Sequence, residues 1–299
     1  MTTEVAPFIQ AYTDPRERLI DPPGRNLNFA FCVVEALDIL MNKNPGLAPK
    51  FNRNLANWLD KDGKFPGHYG KRMNSLPGVM HWEGMPAQLK RCYGELLERP
   101  TSRRATITIH NPLLENYYSK DVACTMDLQF LIRDEKLHCI AHMRSNDALW
   151  GYCYDTWLFQ FLQESMASWL NVDLGHYYHI AGSLHYYHQR HKQINRILKK
   201  ANEPWEQDAA LPMEPMNLKD WSDAIVVMWA TTQHYINYPE ALDTAMTVVW
   251  AIPETLKSYQ FAILTEIARK HRLREICQEI FQKMPKSDVS QWVKRRCRL

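Results

Sequence analysis

The sequence predicts a chain of mixed α and β structure whose final hundred residues are helical. Three observations carry this expectation. "ATITIH" at 105–110 alternates apolar and polar residues with a period of two, as a half-buried strand does. "NFAFCVVEALDILMNK" from Asn28 and "DTWLFQFLQESMASWL" from Asp155 place apolar residues at helical spacing. Beyond about Gln193 only helical periodicity remains, in "LKDWSDAIVVMWATTQ", "PEALDTAMTVVWAI" and "KSYQFAILTEIARKHRLREICQEIFQKM".

The elements follow in chain order. "DPRERLIDPPGRN" is rich in proline and charge and is expected on the surface. The helix from Asn28 reads as buried and carries Glu35, and an acid among apolar residues is rare unless paired or functional. "WLDKDGKFPGHYGKR" is dense in Gly, Pro and Asp and reads as loop. After "PTSRR" and the first strand, "CTMDLQFLI" and "LHCIAHMRS" read as two strands joined by the polar turn "RDEK". "RSNDALWGYCYD" at 144–155 then sets an ion-rich cluster and a glycine hinge ahead of Asp155, which opens the next helix. "HYYHIAGSLHYYHQRH" is strand-like and aromatic. A boundary is expected near 195–215, in the segment holding Pro204, Pro212 and Pro215, dividing the chain into residues 1–195 and a helical extension, 196–299.

Bulk properties exclude little. With 45% hydrophobic and 23% charged residues, the chain can bury a sizeable core. A net charge of +3 suits anionic small molecules as well as nucleic acid. No apolar run approaches the roughly 20 residues of a membrane helix, and "MTTEVAPFIQ" does not read as a signal peptide. Seven scattered cysteines fit a reducing cytoplasm better than a disulfide framework. There is no phosphate-binding glycine loop, no His-Glu-x-x-His and no zinc deaminase signature. The histidines of 176–191 lack a recognised ligand spacing, so no metal is expected. Cys124 opens a strand, and as a nucleophile it would need Arg103, Arg104 or Arg144 nearby to favour the thiolate. These arginines also suit phosphate, because a guanidinium donates two hydrogen bonds from one planar fork.

Taken together, these motifs resemble the thymidylate synthase family over roughly residues 25–195. "CTMDLQFLIRDEKLHCIAHMRSND" is similar to that family's core, in which a nucleophilic cysteine begins a strand and an Arg-Ser-x-Asp element follows twenty residues later. "SRR" lies upstream as expected, "GSLHYY" resembles the Gly-Asp-x-His-x-Tyr segment, and "VVEALDIL" resembles the helix bearing an essential glutamate. The resemblance implies an α+β fold, a mixed sheet with flanking helices, and a homodimer made by sheet packing. By position it makes Cys124 the nucleophile on C6 of the pyrimidine, and Arg144 and Ser145 the holders of the 5′-phosphate. Arg103 and Arg104 would reach the other subunit's nucleotide, and Arg25 would be a further phosphate ligand. Asp147 would contact the folate pterin, and His185 and Tyr187 the sugar hydroxyl. Glu35 would order water and relay protons, and Tyr69 would line the site.

Asp155 stands where thymidylate synthases carry an asparagine that reads uracil. Uracil offers an acceptor at O4 and a donor at N3, which an amide matches. Cytosine offers the reverse pair, which a carboxyl group matches when it accepts from N4 and, protonated, donates to N3. The same Asp marks the deoxycytidylate hydroxymethylases. The implied reaction joins C5 of a cytosine nucleotide monophosphate, dCMP or CMP, to the one-carbon unit of 5,10-methylenetetrahydrofolate. Water then quenches the exocyclic methylene to give the hydroxymethyl product. Leu55, by spacing from Tyr69, replaces a tryptophan that packs near the folate in the synthases, which favours water over hydride. The rival readings are a cytidylate C5-methyltransferase and a nucleotide-binding protein without turnover. The extension, ending in "WVKRRCRL", does not resemble the family. It is expected to stabilise or to mediate assembly, with nucleic acid not expected as a partner.

Overall fold

The computed structural model describes residues 1–76, 83–115, 118–200, 203, 208–249 and 252–299. Pro204, part of the expected boundary segment, lies outside them.

A five-stranded mixed sheet forms the centre, in the order β2-β7-β5-β4-β3. Strands β4 (Thr125–Arg133) and β5 (Lys136–Met143) are the expected hairpin. Asp134 and Glu135 both take positive φ, the two-residue turn whose twist matches antiparallel strands. The sheet is completed by β2 (Phe8–Tyr12), β3 (Thr106–Thr108) and β7 (Asp173–Ala181). β5 and β7 pair in parallel, joined through the nineteen-residue helix α5 (Tyr152–Leu170). A smaller sheet, β1 (Thr2–Val5), β8 (Leu184–Tyr187) and β6 (Asn146–Asp147), forms one rim of a cleft. Strands in the first twelve residues were not expected, since that segment is short and lacks clean alternation.

One face of the large sheet is buried: Leu128, Phe130, Cys139, Ala141 and Tyr177 point inward. Against it lies α5, and on α5 packs α1 (Phe29–Leu40), whose first turn Asn28 caps by accepting from the Phe31 amide. The short helices α2 (Ala48–Phe51) and α3 (Tyr69–Met73) and helix α4 (Ala87–Glu98) complete this layer. Helix α6 (His191–Lys200) is exposed throughout or nearly so.

The extension shares the core. Helices α7 (Leu218–Asn237), α8 (Ala245–Val249), α9 (Glu254–Lys270), α10 (Arg274–Lys283) and α11 (Asp288–Cys297) follow, and α9 packs on α1 as well as on its helical neighbours. One cluster of buried apolar side chains runs from Leu19 to Val293. Phe29 meets Trp157, Tyr259 and Trp292 edge-on, which joins α1, α5, α9 and α11.

Three expectations change here. The opening segment is not surface: Arg18, Leu19, Asp21 and Arg25 are buried. Arg18 tolerates this because it donates to Glu164 and to the Tyr259 hydroxyl, both at 2.6 Å, which satisfies its charge. The long helical run of 257–284 breaks at Arg272, where φ is positive, into α9 and α10. The basic tail is docked: Trp292 is buried and donates to the Leu27 carbonyl, while Arg295 pairs with Asp21 and Arg296 with Glu266.

Candidate active site

A cleft of about 820 Å³ opens between α1, the loop 52–68, the end of β5 and the rim sheet. That volume is at the upper end of ordinary small-molecule sites, with room for a nucleotide and a second ligand. Glu35, Tyr69, Cys124, Arg144, Ser145, Asp147, Asp155, His185 and Tyr187 all line it. Nine of the residues singled out in the sequence therefore meet in one place. Arg25, Arg103 and Arg104 are not among them. Arg25 is buried, donates to the Leu149 carbonyl and lies 6.0 Å from the Tyr154 ring centre, so its guanidinium serves the loop behind the cleft. Arg103 and Arg104 are exposed ahead of β3.

Cys124 sits immediately before β4, and the Arg144 backbone amide bonds its carbonyl at 2.8 Å. The Arg144 guanidinium folds back over the same turn, donating to the carbonyls of Ala123 and Val122 at 2.9 Å and reaching the Cys124 Sγ at 3.6 Å. Burial pushes the Cys124 thiol up, and the adjacent Arg144 charge opposes that shift. Arg144 is thus the arginine that meets the cysteine. Tyr69 stacks on Phe159 and shares a 2.9 Å hydrogen bond with Thr125, which ties α3 to the start of β4.

Of the cleft-lining carboxyl groups, Glu35 and Asp155 have the most strongly raised pKa values. Burial pushes Glu35 up to about 8, helped by the negative charges of Asp155, Asp38 and Asp121. Burial pushes Asp155 up to about 7, against the hydrogen bond from Asn146. Both can hold or release a proton near neutrality, which general acid–base chemistry requires. Asp147 accepts from the backbone amides of Leu149 and Trp150 and so fixes the turn that leads into α5.

Several site residues were not found by sequence reasoning. Asp38, one turn beyond Glu35, is buried and accepts from the amides of Leu47 and Ala48 and from the Trp229 indole at 2.7–2.8 Å. It anchors both the 43–48 loop and α7 to α1. Gly46, at φ +64°, leaves the space this carboxyl fills, where a Cβ would lie 2.2 Å from it. Asn146, itself part of the cleft wall, is buried and donates to Asp155 at 2.7 Å. At the mouth the Arg190 guanidinium lies 4.6 Å from the Trp150 ring centre. Leu55 and Trp58 form part of the wall on the side of the 52–68 loop. No described residue of the extension lines the cleft, so its described part supports the site from behind α1. Among the described residues, no group of three His, Cys, Asp or Glu could hold a metal ion, and no helix is long and apolar enough to cross a membrane.

A cysteine beside an arginine and two acids whose pKa values burial raises thus meet in one cleft of a mixed sheet with flanking helices. The thymidylate synthase family model matches residues 35–236, and the chain belongs to that family. The match runs past residue 195 into α7. Deoxyuridylate hydroxymethyltransferase of Bacillus phage SP01 is 32% identical over 197 residues, covering 62% of this chain and 50% of that protein. Deoxycytidylate 5-hydroxymethyltransferase of Enterobacteria phage T4 is 31% identical over 144 residues, covering 47% and 54%. The chain spans about half the length of these curated relatives. Thermostable thymidylate synthase A from Bacillus subtilis shares the fold, with a TM-score of 0.55 at 20% identity over 70% of this chain and 73% of that one.

Proposed function

We propose that the protein is a one-carbon transferase that hydroxymethylates C5 of a cytosine nucleotide monophosphate, with dCMP the preferred substrate. The observation that carries this reading is Asp155. It is a carboxylic acid in the same cleft as Cys124, and it is held near neutrality rather than fully ionised. A neutral acid both donates and accepts, as the N3 and N4 edge of cytosine demands.

In this reading Arg144 and Ser145 take the phosphate, and His185 and Tyr187 take the sugar hydroxyl. Cys124 adds to C6 while the Asp155 proton passes to N3, so the charge pushed into the ring is neutralised where it develops. Glu35, raised to about 8, accepts and returns protons through water at C5 and the new hydroxyl. Methylenetetrahydrofolate, when bound, supplies the one-carbon unit. Asp147, Leu55 and Trp58 fit the wall it would meet, one polar group among apolar ones. Leu55 in place of a larger aromatic leaves room for water, which favours the hydroxymethyl product over methyl.

The active unit is proposed to be a homodimer. The outer face of the large sheet carries Ile9, Leu131, Ile140, Tyr178 and Ile180, apolar side chains left partly exposed in the single chain. Arg103 and Arg104, exposed outside their own cleft, would then serve the partner's phosphate.

A second reading, deoxyuridylate as substrate, is favoured by the activity for which the Bacillus phage relative is named. Incubation with methylenetetrahydrofolate and each of dCMP, CMP and dUMP, followed by mass spectrometry, tests both. A dCMP or CMP product heavier by CH2O is expected. A gain of CH2 alone would make the protein a methyltransferase, and turnover of dUMP alone would overturn the cytosine assignment.

A further inference from the structure

Asp155 does not stand alone in the cleft wall. Its Oδ2 accepts from the Asn146 amide nitrogen at 2.7 Å, and Asn146 is only 2% exposed. The Asn146 Oδ1 lies 3.1 Å from His179 Nε2, and His179 Nδ1 lies 2.8 Å from the Tyr177 hydroxyl. His179 and Tyr177 are fully buried on β7. The rings, the amide and the acid thus form one unbroken chain from the sheet interior to the cleft.

The direction of this chain follows from chemistry. Burial holds His179 down to about 4, so its ring is neutral and carries one N–H. Burial also pushes the Tyr177 hydroxyl well above its ordinary range, so it keeps its proton. With Nε2 facing an amide oxygen, the ring hydrogen belongs on Nε2, and Nδ1 accepts from Tyr177. Each member then donates toward Asp155: Tyr177 to His179, His179 to Asn146, Asn146 to Oδ2. Gly151, the residue that caps α5, makes the last contact possible. A Cβ there would lie 2.7 Å from the Asn146 nitrogen and 3.2 Å from Asp155 Oδ2. Any side chain at 151 would push the amide off the acid.

We infer that Asn146 is a positioning residue for base selection, because its bond to Oδ2 keeps that oxygen an acceptor and leaves Oδ1 to carry the acid's proton. An oxygen that already receives an N–H is less basic and has that hydrogen in the way of a second one. The acid therefore meets the base with a defined order of acceptor and donor. With Oδ2 set toward position 4 of the base and Oδ1 toward N3, cytosine matches that order by its donor at N4 and its acceptor at N3. Uracil would set acceptor against acceptor and donor against donor. The role rests on the cytosine reading of Asp155. The arrangement itself does not, since no nucleotide is needed to form it. Asp155 also interacts electrostatically with Glu35 and Cys32 from α1, Tyr69 from α3, Cys124 ahead of β4 and Tyr177 from β7. Asn146 is the hydrogen-bonding partner that draws its pKa downward against burial.

The test is Asn146→Ala in the full chain, read in two ways. The first is the Asp155 carboxyl titration, followed by 13C NMR on aspartate-labelled protein and assigned by loss of the signal in Asp155→Asn. The second is the ratio of kcat/KM for dCMP to that for dUMP. Loss of the donor is expected to move the titration upward and to lower the ratio at least tenfold relative to wild type. An unchanged titration with a ratio within twofold of wild type would make Asn146 a mere tie between β6 and α5. A downward move would show the chain running the other way, with Asp155 donating to the amide, and would equally overturn the inference. Asn146→Ser, which keeps a small polar group in the buried site, gives the same two readings if the alanine variant does not fold. Wild type preferring dUMP would sink the cytosine reading, whereas the titration would still decide what Asn146 does to Asp155.

Discussion

Replacing Asp155 by asparagine is the change that bears most directly on the chemistry. The base edge presents two groups, at N3 and at position 4, and the amide offers one donor and one acceptor, as the neutral acid does, but has no proton to give to N3. Asn146 donates at Oδ2, so the new side chain must turn its oxygen there and present its NH2 group where Oδ1 was. That is the order the neutral acid presents, so uracil is met only if the amide flips and sets its NH2 against the Asn146 donor, which leaves both donors unpaired. Each buried polar group left unpaired costs about 1–3 kcal/mol. Two such groups make about 2–6 kcal/mol, or roughly 30-fold to 10⁴-fold in the ratio of kcat/KM. The assay is a competition between dCMP and dUMP in one tube, with both products weighed over time. Asp155→Asn is expected to lose dCMP turnover for want of the proton given to N3, and dUMP is expected to stay disfavoured by a factor in that range. A variant that turns over dUMP as fast as wild type turns over dCMP would refute the reasoning, because the amide would then have flipped against Asn146.

Three further outcomes are expected. In Arg144→Ala the Cys124 thiol loses the adjacent charge that opposes its upward shift. Alkylation of Cys124 by iodoacetamide in the free protein should then reach its half-maximal rate at a higher pH than in wild type. The stability contributed by Asp38, Asp155 and Glu35 should fall as pH rises from about 4 to 8, because at about 6, 7 and 8 they bind protons in the folded state that the unfolded chain has already released. His68 and His179, held down to about 4 by burial, work the other way up to about pH 6.5. Asp155→Asn should flatten the carboxyl-driven fall in urea unfolding by about 2–4 kcal/mol, since each tenfold change in proton affinity is worth roughly 1.4 kcal/mol. An identical slope would contradict the burial of its charge. Arg18→Ala should cost about 3–5 kcal/mol by leaving Glu164 buried without its partner. Denaturation midpoints would show that loss, and a change near zero would mean that the Arg18–Glu164 pair does not hold the extension to the core.

The parts of this protein that were legible in the sequence are those whose signal is local. The hairpin of β4 and β5 announces itself by alternation around a polar turn, and α5 by sixteen residues of helical spacing. The cleft-lining Cys124, Arg144, Ser145, Asp147 and Asp155 are readable for a related reason, since they fall within thirty-two residues whose order is that of a known family. What was not legible depends on partners far along the chain. Arg18 looks like a surface residue among prolines until Glu164 and Tyr259, more than a hundred residues away, meet it at 2.6 Å. The basic tail looks solvated until Asp21 and Glu266 pair with Arg295 and Arg296. Asp38 reads as one more polar position on a helix, and its three bonds come from a loop nine residues on and an indole on α7.

Asn146 combines both cases. Its neighbours in "RSND" carry the motif and take the attention, while its own partners, Asp155 and His179, lie nine and thirty-three residues further on. An amide buried at that position would be an expense without its acceptor and its donor, because each unpaired end costs about as much as a lost hydrogen bond. With both present it links the interior of the sheet to the acid that faces the base. The acid at the end of the opening cluster can therefore be buried, kept near neutrality and held in one orientation. Burial raises its pKa, and the amide decides which oxygen keeps the proton. In the proposed reading, base choice then rests on a residue that acts through Asp155.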